Sequence, residues 1–175
     1  MKLAILPLTK FQTESYISSK QFKCFATEMA MKLGVDDLFS HVEYQKVAEN
    51  FPNKHESLAF THFRNKYTEY SGLYFLTDNI TDAANSLSRE YIEKDTKEEV
   101  LMTLIDFLLI HELVHVLQFK KGCAKELEKQ ESQSIQEYKN SFIEREANLI
   151  AYKYLRRRNP FTKKLLQKLL DFFYQ

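Results

Sequence analysis

The stretch from Leu101 to Phe119 limits the possible folds more than any other. Apolar residues at Leu101, Leu104, Ile105, Leu108, Val114 and Leu117 recur at helical spacing. The stretch is apolar nearly all round, as a helix at the centre of a core must be. It is predicted to start near Asp95 or Thr96, with Glu98 and Glu99 in its first turn, and to close at Lys120-Lys121-Gly122. Within it lie His111, Glu112 and His115, followed by Val116-Leu117-Gln118. Buried polar side chains are costly unless something satisfies them, so this helix needs a partner for its histidines.

The spacing suggests one. Residues four apart share a helix face, so the His111 and His115 imidazoles stand side by side. That is how a tetrahedral zinc ion takes its first two protein ligands. Glu112, one residue round, can reach a water at the ion and take its proton. The alternative, a surface helix with two histidines and a glutamate, needs three residue types to fall at set positions by coincidence.

The chain has 175 residues, enough for one domain with a sizeable core. Lys+Arg number 25 and Asp+Glu 24, so bulk charge gives no reason to expect nucleic acid or an acidic substrate. Gly 3 and Pro 3 leave few breaks, which favours long helices. Cys24 and Cys123 lack Cys-x-x-Cys spacing and read as free thiols; a single bridge between them stays open. Met1–Leu8 is short and interrupted by Pro7, and it reads as a first strand rather than a signal peptide. Val100–Ile110 is too short to span a bilayer. The expected location is therefore the cytoplasm, although a protein exported by a dedicated secretion machine would look the same.

The remaining elements follow from punctuation and period. Ser19–Leu33 is a predicted helix stopped by Gly34, and Val35–Phe51 a shorter helix ending before Pro52. His41 there reads as a surface residue. Ser57–Arg64 and Gly72–Thr77 suit strands, joined by the polar connection Asn65–Ser71 as a hairpin. His62 is a spare histidine, either a third ligand or donor or a pleat residue facing solvent. Thr77-Asp78-Asn79 is turn-forming, and Ile80–Asp95 reads as loop with a short helix. Ala124–Lys139 is charged, a solvated helix or a loop. Helical period resumes at Phe142 and stops before Asn159-Pro160, with Arg156-Arg157-Arg158 as cations on the helix C-terminus. Phe161–Gln175 is an amphipathic helix that docks on the core or lies on a membrane.

A catalytic zinc takes three protein ligands. No histidine follows His115, so a third ligand beyond it is a carboxylate or Cys123. Glu126, Glu128, Glu131 and Glu137 lie in the solvated segment, whereas Glu144 and Glu146 start the next amphipathic helix. Glu144, Ala147, Asn148 and Ala151 share a face, and the alanines let a neighbouring helix approach closely. Glu144 is the expected ligand, with Glu146 as the alternative. Asn148, one turn on, is placed to hydrogen-bond a ligating histidine.

His111-Glu112-Leu113-Val114-His115 followed by Glu144-Arg145-Glu146-Ala147-Asn148 resembles the gluzincin metallopeptidases, and in particular the compact ImmA/IrrE-like proteins. His111-Glu112-Leu113-Val114-His115-Val116-Leu117-Gln118 is also similar to small zincin domains of bacterial secreted effectors. The resemblance covers about residues 72–155; many gluzincins have Asp where this chain has Asn148. It implies an α+β minigluzincin, a small mixed sheet over a buried active-site helix with a helix-rich C-terminal half. It implies Zn²⁺ as cofactor and a protein or peptide substrate lying extended along an edge strand, here Leu73, Tyr74, Phe75 and Leu76. It identifies no transition-state donor; Tyr138, Tyr152 and Tyr154 are candidates. Two other readings are a non-catalytic metal-stabilised module and an effector targeted to membranes by its last helix.

Overall fold

The computed structural model describes residues 6–45, 56–91, 93–130 and 134–174. In chain order these form α1 (Lys10–Ser18), α2 (Lys20–Leu33), β1 (Val42–Gln45), β2 (Ala59–Arg64), β3 (Glu69–Leu76), α3 (Thr77–Leu87), α4 (Lys94–Lys120), α5 (Ala124–Gln130), α6 (Ile135–Asn140), α7 (Phe142–Leu155) and α8 (Pro160–Tyr174). The class is α+β and helix-rich, with a small mixed sheet.

Helix α4 is the core. Leu104, Phe107, Ile110, Leu113 and Val116 are fully buried although they point in different directions round the axis. The helix is long and apolar enough to cross a bilayer, but most of that span is packed inside the protein. Ser19 caps α2 through its Oγ, which accepts the Phe22 N–H at 3.1 Å. Gly34 ends it at φ 69°, a left-handed turn that lets the Val35 N–H reach the Ala30 carbonyl at 2.9 Å. Helix α7 lies along α4 through a stripe of Glu144, Ala147, Asn148, Ala151 and Leu155, all buried. Helix α8 sets Leu165, Leu166 and Leu169 into the core, and Phe173 stacks on Phe107 at 5.5 Å. Its apolar face is therefore occupied by the protein itself.

Several expectations need correction. The described part of Val35–Phe51 is one hydrogen-bonded turn at Val35–Phe39 followed by strand β1; residues 46–51 lie outside the described residues. Leu6–Thr9 is not a strand, and residues 1–5 lie outside the described residues. Leu8 is instead held by Asn85, whose side chain accepts its N–H at 2.7 Å and donates to its carbonyl at 3.0 Å. Thr77-Asp78-Asn79 opens helix α3 rather than a turn. The segment after α4 forms α5 and α6 and is not wholly solvated, since Leu127 is buried.

The sheet order is β1-β3-β2. β1 runs parallel to β3, pairing Val42 with Leu73 and Tyr44 with Phe75. β2 runs antiparallel on the other side, pairing Ala59 with Phe75 and Thr61 with Leu73. Leu73, Tyr74, Phe75 and Leu76 thus belong to the central strand, with neighbours on both sides. They cannot be a substrate-binding edge. Among the described residues β2 is an edge strand, and it is β2 that lies over α4. The hairpin loop between β2 and β3 is strained: Asn65, Lys66 and Tyr67 have φ of 50°, 54° and 62°. Left-handed backbone costs roughly 1–2 kcal/mol for a residue with a Cβ, and here it holds the Tyr67 ring on Phe63 at 5.1 Å.

One buried charge ties three helical elements together. Asp106 of α4 is 1% exposed; it accepts the Tyr16 hydroxyl of α1 at 2.9 Å and the Arg158 guanidinium, just beyond α7, at 2.5 Å. Burial raises its pKa to about 6, against the pull of Arg158 and Tyr16. A carboxyl with a folded pKa above its unfolded value binds its proton more tightly when folded. Its contribution to stability is therefore greatest at low pH and falls as pH rises from about 4 to 6. Asp106→Asn removes this term. Thermal melts of wild type and variant should accordingly shift in the variant's favour across that window and run parallel above it.

Candidate metal centre

Two helices bring the candidate ligands together. His111 and His115 occupy one face of α4, and Glu144 sits in the first turn of α7, where the Ser141 cap accepts its N–H at 3.3 Å. All three are buried. The His111 and His115 Nε2 atoms are 3.0 Å apart; Glu144 Oε2 is 3.2 Å from the first and Oε1 3.1 Å from the second.

The other ring nitrogens are already committed. His111 Nδ1 donates to Asn148 Oδ1 at 2.9 Å, and His115 Nδ1 donates to Gln118 Oε1 at 2.8 Å. Each ring then turns its Nε2 toward the other ring and toward the carboxylate. Three such atoms aimed at one point suit a shared positive charge, a proton on His115 or a metal ion. Glu144 Oε1 has no well-aligned hydrogen bond of its own despite its burial, although it is close to His115. A tetrahedral zinc with bonds of about 2.0–2.1 Å sets its ligands roughly 3.3 Å apart, within a few tenths of the spacings found. The three side chains could hold a metal ion.

The electrostatics agree. Burial alone would lower the His115 pKa, but the Glu144 carboxylate overrides it and lifts it to about 9. Burial alone would raise Glu144; the two imidazoles outweigh it and hold the carboxyl well below its usual range. The carboxylate stays ionised and the site attracts positive charge.

Of the expected residues, Glu146 is not in this cluster. It accepts from Gln118 Nε2 at 2.8 Å, and so steadies the residue that orients His115. Asn148 has the expected contact with His111. His62 alternates to the opposite face of β2 from Thr61, where its ring meets Tyr74 at 6.3 Å, away from the cluster. Tyr154 is exposed on α7. Cys24 and Cys123 are free thiols.

Thr61 and Gln118 join the site with no clear sequence signal, and Tyr138, one of the three candidate tyrosines, joins them. Thr61 Oγ1 donates to Glu112 Oε2 at 2.9 Å and lies 3.1 Å from the Glu112 carbonyl, fixing that carboxylate against β2. Tyr138 lines the same cleft as Glu112 and His115, close to the Glu144 carboxylate. Burial, then the Glu144 and Glu112 charges, keep its hydroxyl protonated far above its usual range. Gln118 was in principle findable, since it stands one turn from His115 on the same helix. Asn148→Ala and Gln118→Ala should each weaken metal affinity by about 10–100-fold, read by competition with a chromophoric chelator. Comparison with protein-family models, curated proteins and solved structures finds no match to this chain.

Proposed function

We propose that the chain is a zinc-dependent peptidase of the gluzincin kind, with His111, His115 and Glu144 as ligands and Glu112 as general base. One observation carries the reading: two imidazoles with their Nδ1 atoms fixed, and a buried carboxylate, converge on a point beside a second carboxylate in an open cleft. Zn²⁺ held there would make a water more acidic and polarise a carbonyl.

The protein's own groups do the rest. An extended peptide adds to the outer edge of β2 by backbone hydrogen bonds, which brings its carbonyl over α4. Glu112, held by Thr61, takes the proton from the attacking water as its oxygen bonds to the carbonyl carbon. Tyr138 donates a hydrogen bond to the oxygen on which negative charge develops. Glu112 then passes its proton to the amide nitrogen, the C–N bond breaks, and an acid and an amine leave. A non-catalytic module would use Glu112 only for its bond from Thr61, because it contributes no atom to the metal cluster.

The test is metal dependence. Peptide hydrolysis should vanish after dialysis against a strong chelator and return with one equivalent of zinc. Turnover that survives full metal removal would refute the reading.

A further inference from the structure

Helix α7 has two faces that differ in kind. Glu144, Ala147, Asn148 and Ala151 are buried on the side that meets α4. On the opposite side of the axis, by helical phase, stand Phe142 and Leu149, 74% and 64% exposed. They are two turns apart, with Arg145 between them and Lys153 and Arg156 continuing the line, all three exposed. The cations do not stop there. From Lys153 to Lys164 the chain has six basic residues and no acidic one, in a protein whose net charge is +1.

This charge is mostly uncompensated. Of the six, only Arg158 is paired with a carboxylate among the described residues, that of Asp106. Arg156 lies over the Tyr152 ring at 6.0 Å and keeps its charge. Glu146, at the margin of the face, is committed to Gln118. The dipole at the end of α7 favours its arginines, but Lys163 and Lys164 stand at the start of α8, where a helix dipole opposes cations. Capping therefore explains only part of the cluster. Phe11, equally exposed on α1, has a different setting, because Lys10 beside it is paired with Asp78.

We propose that the outer face of α7, extended by the basic junction into α8, docks on an anionic lipid bilayer. A helix lying in a membrane interface sinks Phe and Leu below the headgroups and leaves Lys and Arg among the phosphates. A soluble polyanion would use the cations but has no apolar layer to take Phe142 and Leu149. Docking on this face leaves Glu144 in the core, so the inference stands apart from the peptidase reading.

The chain has no tryptophan, so a single introduced one reports its surroundings. Phe142→Trp, Leu149→Trp and the control Phe11→Trp are mixed with vesicles of phosphatidylcholine alone or with about a third phosphatidylserine. Emission from positions 142 and 149 should shift to the blue on the anionic vesicles only, and emission from position 11 should not move. Adding Lys153→Gln and Arg157→Gln should weaken vesicle binding roughly 30-fold, about fivefold for each charge removed. Wild-type protein, followed by flotation with the same vesicles, should come off in about 0.5 M salt; this arm needs no substitution and serves if a variant fails to fold. Absent binding, equal binding to both vesicle types, or a blue shift at position 11 as large as at 142 overturns the proposal. So does tighter binding to duplex DNA or polyglutamate than to the anionic vesicles at equal salt, which would make the patch a site for a soluble polyanion.

Discussion

Glu144→Ala should lose metal binding by more than about 100-fold, beyond the 10–100-fold expected for a partner outside the coordination sphere. The carboxylate is the only anion in the cluster, and it stands in a buried site where charge compensation counts most. Without it two imidazoles remain, one short of the three protein ligands of a catalytic zinc. Glu146→Ala provides the contrast. It removes only the carboxylate on which Gln118 rests, and should keep one zinc per chain at saturating metal. Glu144→Gln, with the same shape and no charge, separates the ligand's charge from its packing. Elemental analysis after gel filtration reads all three. Zinc lost from the Glu146 variant but retained by the Glu144 variants would reverse the ligand assignment.

Glu112→Gln should keep its zinc and lose about 10²–10⁴-fold in kcat, the usual contribution of a positioned general base. The amide oxygen can still accept the Thr61 hydroxyl, so the side chain keeps its place. What it cannot do is take a proton from water. The measurement is steady-state cleavage of a fluorogenic peptide at matched zinc content. A variant as fast as wild type would remove Glu112 from the mechanism and leave the metal site intact.

The helical part of this arrangement was legible because two helices carry it. Period placed α4, and its apolar surround marked the histidines as needing a partner. Helical phase separated Glu144 from Glu146, which lie two residues and about 200° apart. The buried alanines at 147 and 151 then confirm the face on which α7 packs. The sheet was harder to read. Val35, Leu38, Phe39 and Val42 have helical spacing, yet they form one turn and the start of β1. The resemblance implies an edge strand for the substrate, and with β1 expected as helix nothing in the sequence marks Leu73–Leu76 as the central strand. Thr77, Asp78 and Asn79 suit turns and helix starts alike, because their side chains bond nearby backbone in either setting. Thr61 was hidden for another reason: its contact with Glu112 depends on how β2 crosses α4, which no local pattern records. Tyr138 lies in a charged segment whose strongly apolar residues are only Leu127 and Ile135.

The central claim is metal-dependent hydrolysis driven by Glu112, and one measurement addresses it directly. A mixture of defined peptides is incubated with zinc-loaded wild type and with zinc-loaded Glu112→Gln, and new termini are read by mass spectrometry. The account predicts new termini, each pair summing to a substrate plus one water, with wild type and none above background with the variant. No cleavage by fully loaded wild type, or equal cleavage by both proteins, would contradict it.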